Sequence, residues 1–267
     1  MTTAPTPATS PAAPALPVAL VRRPSSRLVD GELTHRARET IDIDLARTQW
    51  AAYVEALEAA GFATREVTAA DQLADSVFIE DTVVVFGRIA VITSPGANSR
   101  RAETDAPASA VRELGLDVHE ITLPGTLDGG DVLKIGHIVY VGQGGRTNAD
   151  GIRQLASFVE PAGYRVVTVP VTKVLHLKSA VTALPDGTVI GYEPFVDDPS
   201  LYPNFLAVPE ETGAAVVVLP DGGVLMASSA PESARLFESR GLRVVTVDVG
   251  EFEKLEGCVT CLSVRVR

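Results

Sequence analysis

Gly61-Phe-Ala-Thr-Arg-Glu-Val, Gly115-Leu-Asp-Val-His-Glu-Ile, Gly163-Tyr-Arg-Val-Val-Thr-Val and Gly241-Leu-Arg-Val-Val-Thr-Val are four versions of one heptapeptide. Each couples a glycine to a short run of alternating apolar and polar residues, the pattern of a half-buried strand. Each follows an amphipathic stretch such as Asp44–Ala60 or Glu232–Arg240. Glycine suits the end of a helix there, because the chain leaves through positive φ. The copies begin 54, 48 and 78 residues apart, so the last interval has room for one degenerate unit and one well-formed one.

Hairpins lie between these strands. Phe78–Val85 turns at Phe86-Gly87-Arg88 into Ile89–Thr93, and Asp131–Ile135 turns at Gly136-His137 into Ile138–Gly142. Leu175–Leu184 turns at Pro185-Asp186-Gly187 into Thr188–Tyr192, and Ala214–Leu219 turns at Pro220-Asp221-Gly222-Gly223 into Val224–Ser228. Glycine-bearing turns between β-rich runs are strong hairpin signals. The unit is therefore strand, turn, strand, helix, strand, in roughly 50 residues. About five such units fill the chain. Val259–Val266 has no strand after it and Val18–Arg22 has none before it. Pairing the two closes a ring, which predicts an α/β five-bladed propeller of ββαβ repeats with pseudo-five-fold symmetry. An open parallel sheet is the alternative, but its single-strand crossovers need no such series of hairpins.

Composition narrows the function. The 267 residues carry 23 Lys+Arg against 34 Asp+Glu, a net charge of −11, which argues against duplex nucleic acid as partner. The only cysteines are Cys258 and Cys261, too few for a disulfide scaffold. No apolar run approaches the ~20 residues of a membrane-spanning helix. Residues 1–17 are rich in Ala, Pro and Thr and lack the basic start and apolar stretch of a secretory signal. They read as a disordered tail before a single domain over residues 18–267. The expectation is a soluble cytoplasmic protein, monomer or homodimer, that takes a small molecule and binds neither nucleic acid nor membrane.

The repeat also aligns polar residues. The first strand of successive hairpins opens with Phe78-Ile79-Glu80-Asp81, Leu127-Asp128-Gly129-Gly130-Asp131, Leu175-His176-Leu177-Lys178-Ser179 and, in the last unit, Gly257-Cys258-Val259-Thr260-Cys261. Acid, acid, histidine and cysteine thus share one place in the repeat, and in a ring that place faces the axis, where sites on closed repeat folds gather. Arg100 and Arg146 correspond as well, each after a hairpin's second strand and before a helix. There they read as a clamp for a carboxylate. Taken singly, each has a structural explanation: a solvated acid pair, an aspartate in a glycine turn, a surface arginine, a satisfied core histidine. His35, His119 and His137 fall outside the shared position and read as structural.

Cys258 and Cys261 form a C-x-x-C, but they precede a strand pattern rather than opening a helix. Residues three apart on a strand face opposite sides, so the two thiols are expected to diverge. A zinc site would need a second ligand pair. The division is one structural and one reactive cysteine, and the more apolar face of Cys258 favours Cys261 as the reactive one.

Phe78-Ile79-Glu80-Asp81, Leu127-Asp128-Gly129-Gly130-Asp131-Val132-Leu133, Arg146-Thr147-Asn148, His176-Leu177-Lys178-Ser179 and Thr260-Cys261-Leu262-Ser263 together resemble the dimethylarginine dimethylaminohydrolases, of the guanidine-modifying pentein superfamily. The resemblance runs from about Val18 to Arg267 and implies the propeller inferred above. It implies Cys261 as nucleophile, His176 as general acid and base, and Asp128 as its acidic partner, where other members carry Glu. By the same resemblance Asp81 grips the guanidinium, and Glu80 and Phe78 line its alkylated end. Asp75 contacts the α-amino group, Arg100 and Arg146 hold the α-carboxylate, and a flexible lid near Pro24–His35 brings Leu33 to the ligand. The implied reaction is hydrolysis of dimethylarginine or monomethylarginine to citrulline through a covalent thiouronium, with no metal or organic cofactor.

The alternative is an arginine deiminase-type hydrolase acting on free arginine. Those enzymes usually carry an added helical domain. Agmatine lacks the carboxylate that two arginines would serve, amidinotransferases are longer, and a non-enzymatic pentein would not need the Cys and His.

Overall fold

The computed structural model describes residues 17–267. The tail expected over residues 1–17 lies, apart from Pro17, outside them. Five three-stranded sheets make up the β structure. Val83–Phe86 pairs antiparallel with Ile89–Ile92, which pairs parallel with Asp117–Glu120. Val132–Ile135, Ile138–Gln143 and Arg165–Pro170 repeat the arrangement. So do Val181–Ala183, Val189–Gly191 and Phe205–Ala207, and Val216–Val218, Val224–Ala227 and Val244–Val247. The fifth sheet joins the two ends of the chain. Val264–Val266 runs antiparallel to Val18–Val21, which runs parallel to Ala63–Glu66. The predicted closure and five-fold repeat are therefore present.

Four of the five crossovers contain a helix: Ile43–Ala59, Asp105–Glu113, Ala149–Val159 and Pro231–Ser239. The third sheet has only the short helical turns Glu193–Phe195 and Pro199–Leu201 in that place, which is the degenerate unit that the spacing required. Gly61, Gly115, Gly163 and Gly241 all have positive φ, as the repeat demanded.

One register expectation is corrected. The first strand of each hairpin starts later than its apolar pattern suggests, at Val83, Val132, Val181, Val216 and Val264. Short helical turns precede four of these strands: Ile79–Thr82, Gly129–Asp131, Leu177–Ala180 and Glu211–Ala214. Gly257–Ser263 is likewise not strand. The aligned polar residues thus stand on tight turns at the inner rim of the ring. A helical turn sends neighbouring side chains about 120° apart in its 3₁₀ form, and this decides which of them meet.

Five apolar clusters hold the blades together. Leu20 and Val264 of the closing sheet pack with Val83, Ala90, Ile92 and Val111. Phe86 and Val91 pack with Val139, Ile152 and Leu155. Tyr53 and Leu57 of the first helix pack with Val217, Leu225 and Val247. The other two clusters fill the remaining gaps between blades. Among the described residues no helix is long and apolar enough to cross a membrane.

If the closing sheet cements the ring, shortening its fully buried Leu20 should remove stability in proportion to the cavity. Leu20→Ala is expected to cost about 2–5 kcal/mol in urea unfolding. Leu123→Ala, at a side chain 57% exposed, should stay within about 0.5 kcal/mol. Equal effects of the two would overturn this account of closure.

Candidate active site

The turn Ile79–Thr82 separates two adjacent acids. Asp81 points into a cleft that is also lined by Asp75, Phe78, Arg100, Arg146, His176 and Cys261. These seven expected residues are thus brought together. Glu80 points the other way, into a cavity on the axis. There its carboxylate accepts from Lys178 Nζ at 2.6 Å, Arg265 Nη2 at 2.8 Å and Thr260 Oγ1 at 2.8 Å. The expectation that Glu80 lines the alkylated end of a ligand is corrected on this ground: its oxygens are committed to two cations outside the cleft.

His176 Nε2 lies 3.0 Å from Asp128 Oδ2, and its Nδ1 lies 3.8 Å from Asp81 Oδ1. Asp128 is fully buried, and its other oxygen accepts from the amide of Gly96 at 2.8 Å. It stands behind the histidine rather than on the cleft surface. Burial opposes a charged imidazole, but Asp81, Asp128 and Asp131 outweigh it and push His176 up to about 9. Burial likewise opposes the charge on Asp81, yet His176 and Arg100 hold its carboxyl below the ordinary range.

Glycine makes the approach possible. A Cβ on Gly130 would stand 2.6 Å from His176 Nδ1 and 2.7 Å from Asp81 Oδ1, and one on Gly129 would stand 2.0 Å from the carbonyl oxygen of Glu80. Asp131, the second acid of Asp-Gly-Gly-Asp, is structural. It accepts from Thr147 Oγ1 at 2.6 Å and from the amide of Leu177 at 2.9 Å, tying the histidine's turn to its own. Burial pushes its carboxyl up to about 6.

The arginines differ. Arg100 is 4% exposed and its fork is occupied: Asp81 at 2.7 Å, Glu103 at 2.8 Å, and the carbonyls of Asp75 and Phe78 at 3.3 and 3.2 Å. It lines the cleft but serves first to hold Asp81, so the expectation of two equivalent clamp arginines is corrected. Arg146 is the freer one. Its Nη2 pairs with Glu32 Oε2 at 2.9 Å, and its Nη1 is buried without a partner. Asp75 accepts from the amide of Glu32 through both oxygens, at 3.2 and 3.1 Å.

Glu32 thus bridges two of the expected binding residues, and sequence reading did not single it out. Leu33, which it did single out, does not line the cleft and packs against the large core cluster instead. Leu175, Leu255, Glu256 and Gly257 complete the wall. Glu256 accepts from the amides of Thr34 and His35 at 2.8 and 2.6 Å, so it fastens the Pro24–His35 segment over the cleft. The free volume beneath is about 20 Å³, far below the ~300–1,000 Å³ of pockets that enclose small molecules. A ligand the size of an amino acid requires this segment to lift.

Cys258 and Cys261 do not diverge as a strand would make them. The amide of Cys261 donates to the carbonyl of Cys258 at 3.1 Å, and the sulfurs are 3.4 Å apart. Cys261 is 6% exposed and faces the cleft. Its thiol is pushed well above the ordinary value, first by the hydrogen bond with Cys258, then by burial and the acids Glu80 and Asp81.

Asp81, Asp128 and His176 bring three donor atoms within 4.8 Å of one another. The carboxylates already serve Arg100 and the amides of Gly96 and Gly130. A histidine that keeps its second proton to about pH 9 has no lone pair for a metal at neutral pH. The cluster fits proton transfer better than ligation.

No family model matches the chain. It is 64% identical over 249 residues to an N(G),N(G)-dimethylarginine dimethylaminohydrolase of Streptomyces coelicolor, covering 93% of this chain and 96% of that one. It is 34% identical to the Pseudomonas aeruginosa enzyme of the same name, over 92% and 98% of the two chains. A solved structure of a Pseudomonas aeruginosa dimethylarginine dimethylaminohydrolase in complex with citrulline superposes with a TM-score of 0.88, at 33% identity, over 94% and 99%. The N-terminal domain of a cyanobacterial arginine dihydrolase gives 0.83 at 20% identity, over 94% and 98%, a likeness of fold.

The Asp128 contact has a direct readout. In Asp128→Asn the histidine loses a hydrogen-bonded charge, so its proton affinity should fall roughly tenfold or more. A ¹⁵N-histidine NMR titration should show the wild-type imidazole of His176 losing its proton near pH 9 and the variant losing it at lower pH. An unchanged midpoint would sink this assignment.

Proposed function

The chain belongs to the dimethylarginine dimethylaminohydrolase family, and we propose that it hydrolyses N-omega-methylated arginines to citrulline and a methylamine with Cys261 as nucleophile. The observation that carries the reading is the convergence of the buried thiol of Cys261, His176 and Asp81 on one cleft, with Asp128 against the histidine from behind.

The residues fit the chemistry in order. A guanidinium is a poor electrophile because its charge is delocalised, so it needs a strong nucleophile and fixed orientation. Asp81, held by Arg100 and the amide of Gly130, directs its outer lone pairs at the guanidinium N–H groups. Phe78 and Leu175 supply the apolar wall for the N-methyl groups. Arg146 receives the α-carboxylate in place of Glu32, and Asp75 receives the α-ammonium once the amide of Glu32 withdraws.

As the cationic substrate binds, the Cys261 thiol loses its proton to solvent, and the thiolate Sγ bonds to the central carbon while the C=N π electrons move onto nitrogen. As the carbon–nitrogen bond to the dimethylamino group breaks, the imidazolium of His176 passes its proton to the departing amine. The neutral imidazole next takes a proton from water, whose oxygen attacks the thiouronium carbon. The carbon–sulfur bond breaks and citrulline leaves. Asp128 steadies both protonation states of the ring.

Free arginine is the second substrate to weigh, since the same clamp would accept it. The apolar wall at Phe78 favours the methylated substrate. Within the cell, the cytoplasm is the compartment that keeps two free thiols reduced.

Citrulline release measured side by side from dimethylarginine, monomethylarginine and arginine tests the reading. The methylated substrates should lead, and a clear preference for arginine would favour the alternative. Cys261→Ser should lower kcat at least about a thousandfold; an active Cys261→Ser enzyme would overturn the assignment.

The acids beside Cys261 also make its ionisation depend on the substrate. Thiolate absorbance should rise at a markedly lower pH when an unreactive guanidine ligand is bound than when the site is free. The same midpoint in both states would contradict this.

A further inference from the structure

Only half of Cys258-Val-Thr-Cys261 enters the proposed reaction. The other half lies close against it. The hydrogen bond from the Cys261 amide to the Cys258 carbonyl closes a four-residue turn, and such turns hold their end Cα atoms within ~7 Å. A disulfide asks for ~4.4–6.8 Å between Cα atoms. The sulfurs are 3.4 Å apart, so bond formation needs side-chain adjustment and no rearrangement of the blades.

The two thiols face different spaces. Cys261 opens onto the closed cleft of about 20 Å³. Cys258 lines a separate cavity of about 350 Å³, together with Arg36, Lys173, Ser179 and Phe195. A small solute reaches Cys258 without lifting the segment over the cleft. The charges on that wall offset one another: Arg36 and Lys173 stand with Glu211, Glu253 and Glu256, and Arg36 is paired with Glu211. The thiolate is favoured instead by the hydrogen bond from Cys261, which outweighs burial and holds the Cys258 thiol down to about 7.

We propose that Cys258 is an oxidation site for small hydroperoxides and that Cys261 resolves the oxidised sulfur into an intramolecular Cys258–Cys261 disulfide. In the first step the Cys258 thiolate attacks one peroxide oxygen. A sulfur–oxygen bond forms, the oxygen–oxygen bond breaks, and the other oxygen leaves as water or alcohol after taking a proton. Cys258 becomes a sulfenic acid and the peroxide is reduced.

In the second step Cys261 sulfur attacks Cys258 sulfur. The sulfur–sulfur bond forms, the sulfur–oxygen bond breaks, and water departs with the thiol proton. The two sulfurs together have given up two electrons to the peroxide. The disulfide removes the nucleophile while shielding it from irreversible oxidation, and a dithiol restores both thiols. The loss of turnover rests on the reading of Cys261 as nucleophile; the disulfide itself does not.

The test uses the full-length enzyme treated with a small excess of hydrogen peroxide, then alkylated and mapped by mass spectrometry. The peptide holding both cysteines should lose two hydrogens, activity should fall in step, and dithiothreitol should restore both. Cys258→Ser and Cys258→Ala should lose activity several-fold more slowly. After prolonged exposure, Cys261 in these variants should gain oxygen, and dithiothreitol should no longer restore turnover.

The proposal is overturned if the wild-type peptide gains oxygen without losing hydrogens. It is also overturned if both variants are inactivated at the wild-type rate and recover as fully. A disulfide that forms with no loss of turnover would uphold the oxidation site and overturn Cys261 as nucleophile, so the two readings fail separately.

Discussion

Three residue pairs, Val18 with Val266, Ala19 with Arg265 and Leu20 with Val264, join segments some 240 positions apart in the chain. The cleft is assembled across this seam. Cys261 sits three residues before the closing strand, while Asp81 and His176 come from the first and third blades. The seam also fixes depth: the amide of Glu80 donates to the carbonyl of Cys261 at 3.1 Å, and Thr260 Oγ1 donates to the Glu80 carboxylate. A backbone bond and a side-chain bond therefore hold the Cys261 turn against the turn that carries Asp81. Without closure the thiol would belong to a loose C-terminal segment, and its distance to the histidine would be set by nothing.

Orientation here is bought with buried charge. Asp81, Arg100 and Glu103 form one chain of ion pairs, and Glu80, Lys178 and Arg265 form another on the far side of the same turn. Such pairs contribute little net stability, because desolvation offsets most of their attraction, but breaking one leaves an uncompensated buried charge. They suit a site better than a core. The alternation of a helical turn sends Glu80 to the axis and Asp81 to the cleft, so each acid has its own cation and neither neutralises the other's. Asp81 arrives with its direction fixed from behind, and His176 is protonated by its neighbours before any substrate enters.

Much of this was legible in the sequence, and what was not has specific causes. The glycines at 61, 115, 163 and 241 announced the repeat because positive φ is costly for other residues. The hairpin turns announced the blades, and the unpaired terminal runs announced closure. The repeat alone aligned acid, acid, histidine and cysteine, and the family resemblance singled out Asp81, Asp128 and Cys261 among the candidates at those places. The short turns before each inner strand were invisible, since Ile79–Thr82 or Leu177–Ala180 reads equally well as strand. That error made the two cysteines diverge, while the placement of Glu80 in the cleft came from the family resemblance and not from the pattern of this chain. Glu32 and Glu256 escaped because their partners, Arg146 and the amides of Thr34 and His35, lie more than a hundred positions away. A lone acid in a polar segment carries no pattern that points so far.

The surroundings of Cys261 decide both its chemistry and its exposure. Glu80 and Asp81 beside a buried sulfur disfavour the thiolate, so the resting enzyme holds a thiol. On the proposed mechanism a cationic substrate reverses that field, and the thiolate of Cys261 is generated where it is to be used. The same acids make Cys261 a slow target for oxidants, which react with thiolates. The proton that Cys261 retains is shared toward Cys258, the sulfur with the more open surroundings. Reactivity in the resting state therefore lies within the same turn as the proposed nucleophile, close enough for the two sulfurs to communicate through a single hydrogen bond. On both proposals, the field that withholds the Cys261 thiolate until substrate arrives is the field that leaves Cys258 to meet other electrophiles first.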